Sequence, residues 1–132
     1  MSVGAMQFEP YNALVREYFA DTRHAGTLPD AISIAIDEQG VSVEMAASAT
    51  EQTIKALRFR IRGCPHSVAA CEAICRQLEG EKVERLEDFS VQDLMQSLAV
   101  PAAKSGRILL LEDVARQLGM ALRQTESAIE QH

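Results

Sequence analysis

The sequence predicts a single α+β domain in which a small three-stranded antiparallel sheet carries helices packed on one face, in the order α-β-β-β-α-α-α. Apolar and polar residues alternate between Ile32 and Ile61, which is the period of half-buried strands. Before and after that region, apolar residues recur at the helical period of 3.6. A chain of 132 residues, 47% of them hydrophobic, can bury one core but not two.

The first predicted helix opens at Pro10, after a loose N-terminal tail over residues 1–8. Its apolar stripe consists of Tyr11, Leu14, Val15, Tyr18 and Phe19. The polar, turn-rich residues 21–26 follow it. We expect His24, within that segment, to be a solvated loop residue rather than a ligand.

Three strands are predicted next. The turn at residues 37–40 separates two alternating runs and makes them a hairpin. A polar loop at 48–52 leads to the third strand, whose apolar residues point to one side and whose arginines point to the other. The arginines are expected on the solvated face of the sheet, with an anion-binding row as the alternative. They are Arg58, Arg60 and Arg62.

The helix after the third strand is predicted to last to about Glu79 and to stop at Gly80. Cys71 and Cys75 fall on its apolar stripe and are predicted to be small core residues. A short helix capped by Ser90 and a long helix through residues 108–122 complete the domain, which is predicted to span residues 9–124 before a frayed tail at 125–132.

Composition excludes several classes of partner. A net charge of −6 and a pI near 5.0 argue against nucleic acid and anionic lipid as partners. No apolar run approaches the roughly 18 residues of a membrane span. Three cysteines clustered within the chain do not form a disulfide framework, so we expect a cytoplasmic protein.

Cys64 is the strongest candidate for a functional residue, because it sits where the third strand turns into a helix. A thiol at a helix N-terminus meets unpaired N–H groups and the positive end of the helix dipole, which favour the thiolate. Pro65 supports this placement. The alternative is that Cys64 only packs at a strand-helix corner. His66 could reach a metal on Cys64 or bond its thiolate, but a surface histidine is the favoured interpretation.

From about Tyr11 to Leu122 the sequence resembles the NifU/IscU family of iron-sulfur cluster scaffolds. Residues 11–28, with Arg23-His24-Ala25-Gly26, resemble the family's opening helix and its Pro-Arg-Asn-x-Gly turn. Residues 59–70 resemble its strand-Gly-Cys-helix segment, and residues 78–82 resemble its helix end before Gly-Lys. Residues 100–113 align without a gap on its Leu-Pro-Pro-Val-Lys-x-His-Cys-Ser-x-Leu-x-Glu-Asp segment. The implied fold is SufE/NifU-like.

The resemblance implies an iron-sulfur cluster, or iron or zinc in its place, held by three cysteines assisted by an aspartate or a histidine. Carried over by position, only Cys64 falls on a ligand. The late His-Cys pair falls on Gly106 and Arg107, and the first family cysteine falls near Gln39, so those positions do not ligate. One thiolate does not close a tetrahedral site. Asp37 and Glu38 lie in the matching turn.

The same alignment suggests roles for two basic residues. Lys104 occupies the segment that a dedicated Hsp70-type chaperone binds in the family, here changed to Val-Pro-Ala-Ala-Lys. Arg107, brought close to Cys64 if the family fold holds, would lower the pKa of its thiol and hold an anion such as a persulfide.

The first hypothesis is therefore a divergent or accessory member of the family, a carrier rather than an enzyme. Its Cys64 would accept sulfur from a cysteine desulfurase, work with other iron-sulfur assembly proteins, or supply one ligand in a homo-oligomer. The alternative is an interaction or regulatory module that keeps the scaffold fold without cluster binding. A third hypothesis is a thiol catalyst with Cys64 as nucleophile and His66 as base.

Overall fold

A computed structural model describes residues 11–38 and 40–130, with side chains described as far as Thr125. Over these residues the order of elements is one helix, three strands and a run of helices, which confirms the predicted fold class. The bounds are α1 (Ala13–Ala20), β1 (Ile32–Glu38), β2 (Val41–Thr50), β3 (Thr53–Arg62), α2 (Pro65–Leu78), α3 (Glu84–Glu87), α4 (Gln92–Ser97), a 3₁₀ turn (Ala102–Lys104) and α5 (Ser105–Glu130).

Helix α1 begins later than predicted. Its N-cap is Asn12, whose side chain accepts the backbone N–H of Val15 at 3.0 Å, a bond that satisfies one of the free donors of the first turn. Pro10, the predicted start, lies outside the described residues. The predicted stripe buries Val15 fully, but Phe19 is half exposed, so its assignment to the core was wrong.

The sheet is antiparallel with the order β1-β2-β3. Its inner face buries alternate residues of β2 and β3, and α2 and α5 pack on it. The inner residues are Val41, Val43, Met45, Ala47, Ile54, Leu57 and Phe59. The opposite face of β1 carries the exposed residues Ser33, Ala35 and Asp37. Helices therefore cover one face of the sheet, as the alternation predicts.

The turn between β2 and β3 is shorter than the predicted loop at 48–52. Thr50 pairs with Thr53, so only Glu51 and Gln52 make the turn. Both have positive φ, 52° and 63°, which is the conformation of a two-residue hairpin turn that usually holds Asn or Gly.

The C-terminal half contains two short elements that the sequence did not predict, the 3₁₀ turn (Ala102–Lys104) and the single-turn helix α3. Helix α3 lies against α5 at Gly119, where an added Cβ would come within 2.8 Å of the Glu87 backbone nitrogen. Helix α5 continues to Glu130, past the predicted domain end at residue 124. No helix in the described part of the chain has the length and apolar character needed to cross a membrane.

Candidate functional site

Three connections meet at one end of the sheet. Asp37 of β1 pairs with Ser42 of β2, which pairs with Arg62 of β3, so the β1–β2 turn lies beside the end of β3. Gly63 and Cys64 follow Arg62 directly. The third connection is the segment that leads into α5, described below. This is the end of the molecule where the sequence placed the candidate site.

Cys64 is the N-cap residue of α2, as the sequence predicts. Its backbone is extended (φ −81°, ψ 167°), Pro65 takes the first helical position, and the Cys64 carbonyl accepts the first helical bond from Val68 at 3.1 Å. The Ser67 hydroxyl also donates to that carbonyl at 2.7 Å. Gly63 has no room for a side chain, because an added Cβ would collide with the Ser67 hydroxyl.

The surroundings of Cys64 favour its thiolate. Partial burial is the largest influence and raises the pKa of the thiol, but it is outweighed by hydrogen bonds from Ser67, the charge of Lys104 and a hydrogen bond from Arg107. The pKa of Cys64 therefore lies below its ordinary value. Because the Ser67 hydroxyl hydrogen points at the Cys64 carbonyl here, that hydroxyl must rotate to reach the sulfur.

Lys104 and Arg107 come from the third connection. Lys104 ends the 3₁₀ turn, and Arg107 lies in the first turn of α5. Both are partly buried, and the Lys104 ammonium lies 5.5 Å from the ring centroid of Tyr11 in a cation–π contact. The structure thus brings the two predicted cations to Cys64, while their functional roles stay predictions.

His66 is not the surface residue that the sequence favoured. Its side chain is fully buried, and its ring lies 4.8 Å from the Tyr11 ring between centroids. Neither ring nitrogen hydrogen-bonds to any described residue, so no bond joins His66 to Cys64. Burial, followed by the Lys104 charge, lowers the pKa of His66. The nucleophile-base pair of the third hypothesis is therefore not formed in this structure.

Cys71 and Cys75 are core residues, as predicted. Both are fully buried among apolar side chains, and burial raises the pKa of each thiol. Of the three free cysteines, Cys64 is the one with partial exposure. Cys64 is therefore the most exposed of the three cysteines and the one whose thiol pKa is lowered.

Among the described residues, the remaining ligand positions do not complete a metal site. Gly106 has no side chain and Arg107 carries a cation, while Gln39 lies outside the described residues. Asp37 and Glu38 are exposed next to the β1–β2 turn. Over residues 11–38 and 40–130 no group of three or more His, Cys, Asp or Glu side chains is placed to hold a metal ion.

The sequence did not reveal a buried ionic network that joins α2 to the loop containing His24. Glu72 is fully buried, and its carboxylate contacts both His24 and Arg76. The second ring nitrogen of His24 lies 3.1 Å from a Glu79 oxygen. The expectation that His24 is solvated was therefore wrong, since its side chain is only 12% exposed. A carboxylate at the edge of the apolar stripe of α2 was the available signal, because a buried charge needs a partner.

The arginine row of β3 lies on the open face, as favoured from the sequence. Arg58 pairs with Glu79 at 3.0 Å, and Arg60 pairs across the strands with Glu44 at 3.3 Å. Two of the three arginines are thus engaged by carboxylates of the same chain, which weakens the alternative of an anion-binding row.

The fold agrees with comparisons to known proteins. A family model described as "NifU-like N terminal domain" matches residues 10–125. No curated protein sequence gave a significant match.

Three solved structures share the fold at low sequence identity. The N-terminal part of a nitrogen-fixing NifU-like protein from Brucella abortus has a TM-score of 0.71 at 14% identity, over 90% of this chain and 98% of that chain. A candidate iron-sulfur cluster assembly scaffold protein for the SUF system from Fervidobacterium islandicum has a TM-score of 0.56 at 16% identity, over 82% and 83%. A hypothetical protein of known crystal structure has a TM-score of 0.55 at 21% identity, over 89% and 95%.

At these identities the solved structures establish the fold alone. The family match spans most of the chain and includes the strand-Gly-Cys-helix segment around Cys64. The chain belongs to the family of NifU-like N-terminal domains.

Proposed function

We propose that this chain acts in iron-sulfur cluster assembly as a sulfur carrier or accessory scaffold that works through Cys64, and that it is not an enzyme. The observation that carries the proposal is the placement of a partly exposed thiol with a lowered pKa at a helix N-terminus, beside Lys104 and Arg107. Thiolate is the form of cysteine that attacks sulfur and binds metal. Membership of the NifU-like family supplies the context.

The sulfur transfer needs one nucleophilic step. The Cys64 thiolate attacks the terminal sulfur of a persulfide on a donor such as a cysteine desulfurase. A bond forms between Cys64 Sγ and that sulfur, the donor's S–S bond breaks, and the donor leaves as a thiolate. The persulfide hydrogen stays on the transferred sulfur until it is lost to solvent. Total charge and oxidation state are conserved, and the two cations can stabilise the persulfide anion on Cys64.

The ligands of this chain alone are too few for a complete cluster. A tetrahedral iron or zinc site takes four ligands, and Cys64 supplies one thiolate. Gly106 and Arg107 stand where the family has its late His-Cys pair. A cluster on this protein would therefore need ligands from another molecule. The free cysteines fit a reducing compartment, and we propose the cytoplasm.

The second candidate is an interaction module that keeps the fold and has abandoned the cluster. The specific observation in its favour is Arg107, a bulky cation in place of a ligand. The two candidates differ in whether sulfur or iron binds to Cys64.

An anaerobic loading experiment separates them. The purified protein is offered ferrous iron and a desulfurase-generated sulfur supply, and bound iron, acid-labile sulfide and the persulfide sulfur released by a thiol reductant are then measured. Cys64→Ser is the test variant, and Cys71→Ala, which removes a buried thiol, is the control. Sulfur or iron that is lost in Cys64→Ser and kept in Cys71→Ala supports the carrier. Absence of iron, acid-labile sulfide and persulfide sulfur from the unmodified protein contradicts the carrier and leaves the interaction module.

A further inference from the structure

The two edges of the sheet differ in how their backbone groups are used. On β3, the Phe59 N–H donates to the His24 carbonyl at 2.9 Å, and the Gly26 N–H donates to the Phe59 carbonyl at 2.8 Å. The Leu57 N–H donates to Glu79 at 2.9 Å. Further along, the Ile54 N–H donates to the Glu81 carbonyl, and the Gly80 N–H donates to the Ile54 carbonyl, each at 2.8 Å. The β3 edge is therefore covered by the chain itself.

Among the described residues, nothing covers the β1 edge in this way. No backbone hydrogen bond outside the β1–β2 ladder involves Ile32–Glu38 among the described residues. The strand also lacks the lysine, proline or bulge that usually protects an exposed edge from pairing.

The register identifies which backbone groups are open. In an antiparallel strand, the backbone groups of successive residues bond to the neighbours on opposite sides. On β3, the backbone N–H groups of Leu57 and Phe59 point away from β2. Following the pairing across β2, Ile34 and Ile36 bond to Met45 and Val43. The open N–H and C=O groups of β1 therefore belong to the alternate residues, which are Ser33, Ala35 and Asp37.

We infer that the β1 edge pairs with β1 of a second copy of this chain, antiparallel about Ala35, to form a continuous six-stranded sheet. This register overlaps the whole of Ile32–Glu38 on itself. Ala35 then lies opposite its own copy, and Ser33 lies opposite Asp37 of the second copy. These residues exchange about six backbone hydrogen bonds, two for each hydrogen-bonded pair.

The side chains of β1 are complementary to themselves in this register. On the open face, the Ser33 hydroxyl faces the Asp37 carboxylate of the second copy and can donate to it. On the helix-covered face, Ile34 lies opposite Ile36 of the second copy, and both are only partly buried in the single chain. The acidic residues at the end of each strand face Ser33 and Ile32 rather than each other. An edge with this pattern fits a second copy, because like charges stay apart and apolar residues meet.

This pairing keeps the two Cys64 sites separate. Cys64 lies at the end of the sheet that holds the β1–β2 turn, and antiparallel pairing sends the two turns to opposite ends of the joined sheet. The dimer therefore does not share ligands between its Cys64 residues. The pairing of the two β1 edges does not depend on the function proposed for Cys64.

A charge-swap experiment at Ala35 tests the pairing, because this exposed residue faces its own copy across the two-fold axis. Ala35→Lys and Ala35→Glu are made separately, checked for native circular dichroism, and studied by sedimentation velocity alone and mixed in equal amounts. We expect the unmodified protein to dimerise, each variant alone to be monomeric, and the mixture to form a heterodimer. A monomeric unmodified protein overturns the inference, as does a dimer that survives in Ala35→Lys alone.

Amide hydrogen exchange gives a second readout that needs no variant. Exchange at Ser33, Ala35 and Asp37 should slow as protein concentration rises, because pairing occupies these N–H groups. The amides of Leu57 and Phe59, already bonded within the chain, serve as the internal control and should not change. Exchange at the three β1 amides that is independent of concentration overturns the pairing.

Discussion

The two carboxylate oxygens of Glu72 contact two different nitrogens of His24. The Glu72 Oε1 accepts the His24 backbone N–H at 2.9 Å, and the Glu72 Oε2 lies 2.7 Å from the His24 Nδ1. The same Oε2 accepts from Arg76 at 2.8 Å. Since the His24 carbonyl in turn accepts from Phe59 of β3, Glu72 ties helix α2 to the loop that covers the edge of the sheet. The helix that begins at Cys64 is thereby fixed in place.

The Glu72→Ala substitution should lower the free energy of unfolding. The change leaves His24 and Arg76 without their shared buried partner, and breaking a buried ion pair costs about 3 kcal/mol or more. Urea denaturation measures the free energy of unfolding. Glu17→Ala is the matched control, because Glu17 is an exposed carboxylate 4.0 Å from the same Arg76, and it should change stability by less than about 1 kcal/mol. Equal effects of the two substitutions would contradict this role for Glu72.

Glu79 should make stability depend on pH. Burial raises the pKa of Glu79, but hydrogen bonds from Leu57, His24 and Arg58 outweigh it and leave the pKa lowered. A lowered pKa in the folded state means that the contribution is present above the unfolded carboxyl pKa and is lost as pH falls through the folded value. The stability difference between the unmodified protein and Glu79→Gln should therefore be largest near neutral pH and shrink in acid.

The control for that titration is Glu81→Gln. Glu81 is an exposed carboxylate two residues away, paired with Arg85 in a surface i,i+4 contact. The stability of Glu81→Gln should differ little from that of the unmodified protein at every pH. A Glu79→Gln difference that stays constant down to acid pH would show that the charge of Glu79 is not involved.

His66→Leu should stabilise the protein, against the usual effect of changing a buried residue. The two ring nitrogens of His66 lack partners in the described chain, and a buried unsatisfied polar group costs about 1–3 kcal/mol. Its pKa is lowered, so protonation in acid favours unfolding, and this penalty disappears with leucine. Thermal unfolding of both proteins at neutral and acidic pH measures the gain, which should grow as pH falls. A large loss of stability at neutral pH would indicate an unrecognised hydrogen bond to the ring.

Arg107→Ala should raise the pKa of the Cys64 thiol. The guanidinium stabilises the thiolate, so its removal moves the midpoint of the alkylation rate to higher pH. The rate of iodoacetamide labelling as a function of pH measures this midpoint. Arg123→Ala removes the same side chain further along α5, where Arg123 pairs with Glu87, and should leave the midpoint unchanged. Identical midpoints in the two variants would exclude Arg107 from the site.

The fold was predictable because its signals are local. The alternation of β1 to β3 and the helical stripes each depend on residues within one element. The turn at Glu51 and Gln52 was missed because neither residue type is typical of the positive φ that both adopt. Helix α3 is a single turn, too short to show a period.

The candidate site was predictable only in part. Cys64 follows from its strand-Gly-Cys-Pro context, and the approach of Arg107 follows from the family alignment. The burial of His66 depends on Tyr11, and the burial of His24 depends on Glu72 and Glu79, all of which are distant in the chain. Polar residues at turns and helix starts are usually solvated, so the sequence favoured exposure for both histidines.

The most direct test of the account is to locate sulfur on the protein after brief exposure to a persulfidated donor without iron. Intact mass counts the added sulfur atoms, and peptide mapping after alkylation locates them. A carrier that works through Cys64 should gain one sulfur atom, on Cys64, and the Cys64→Ser variant should gain none. No added sulfur, or sulfur that persists in Cys64→Ser, would contradict a carrier that works through Cys64.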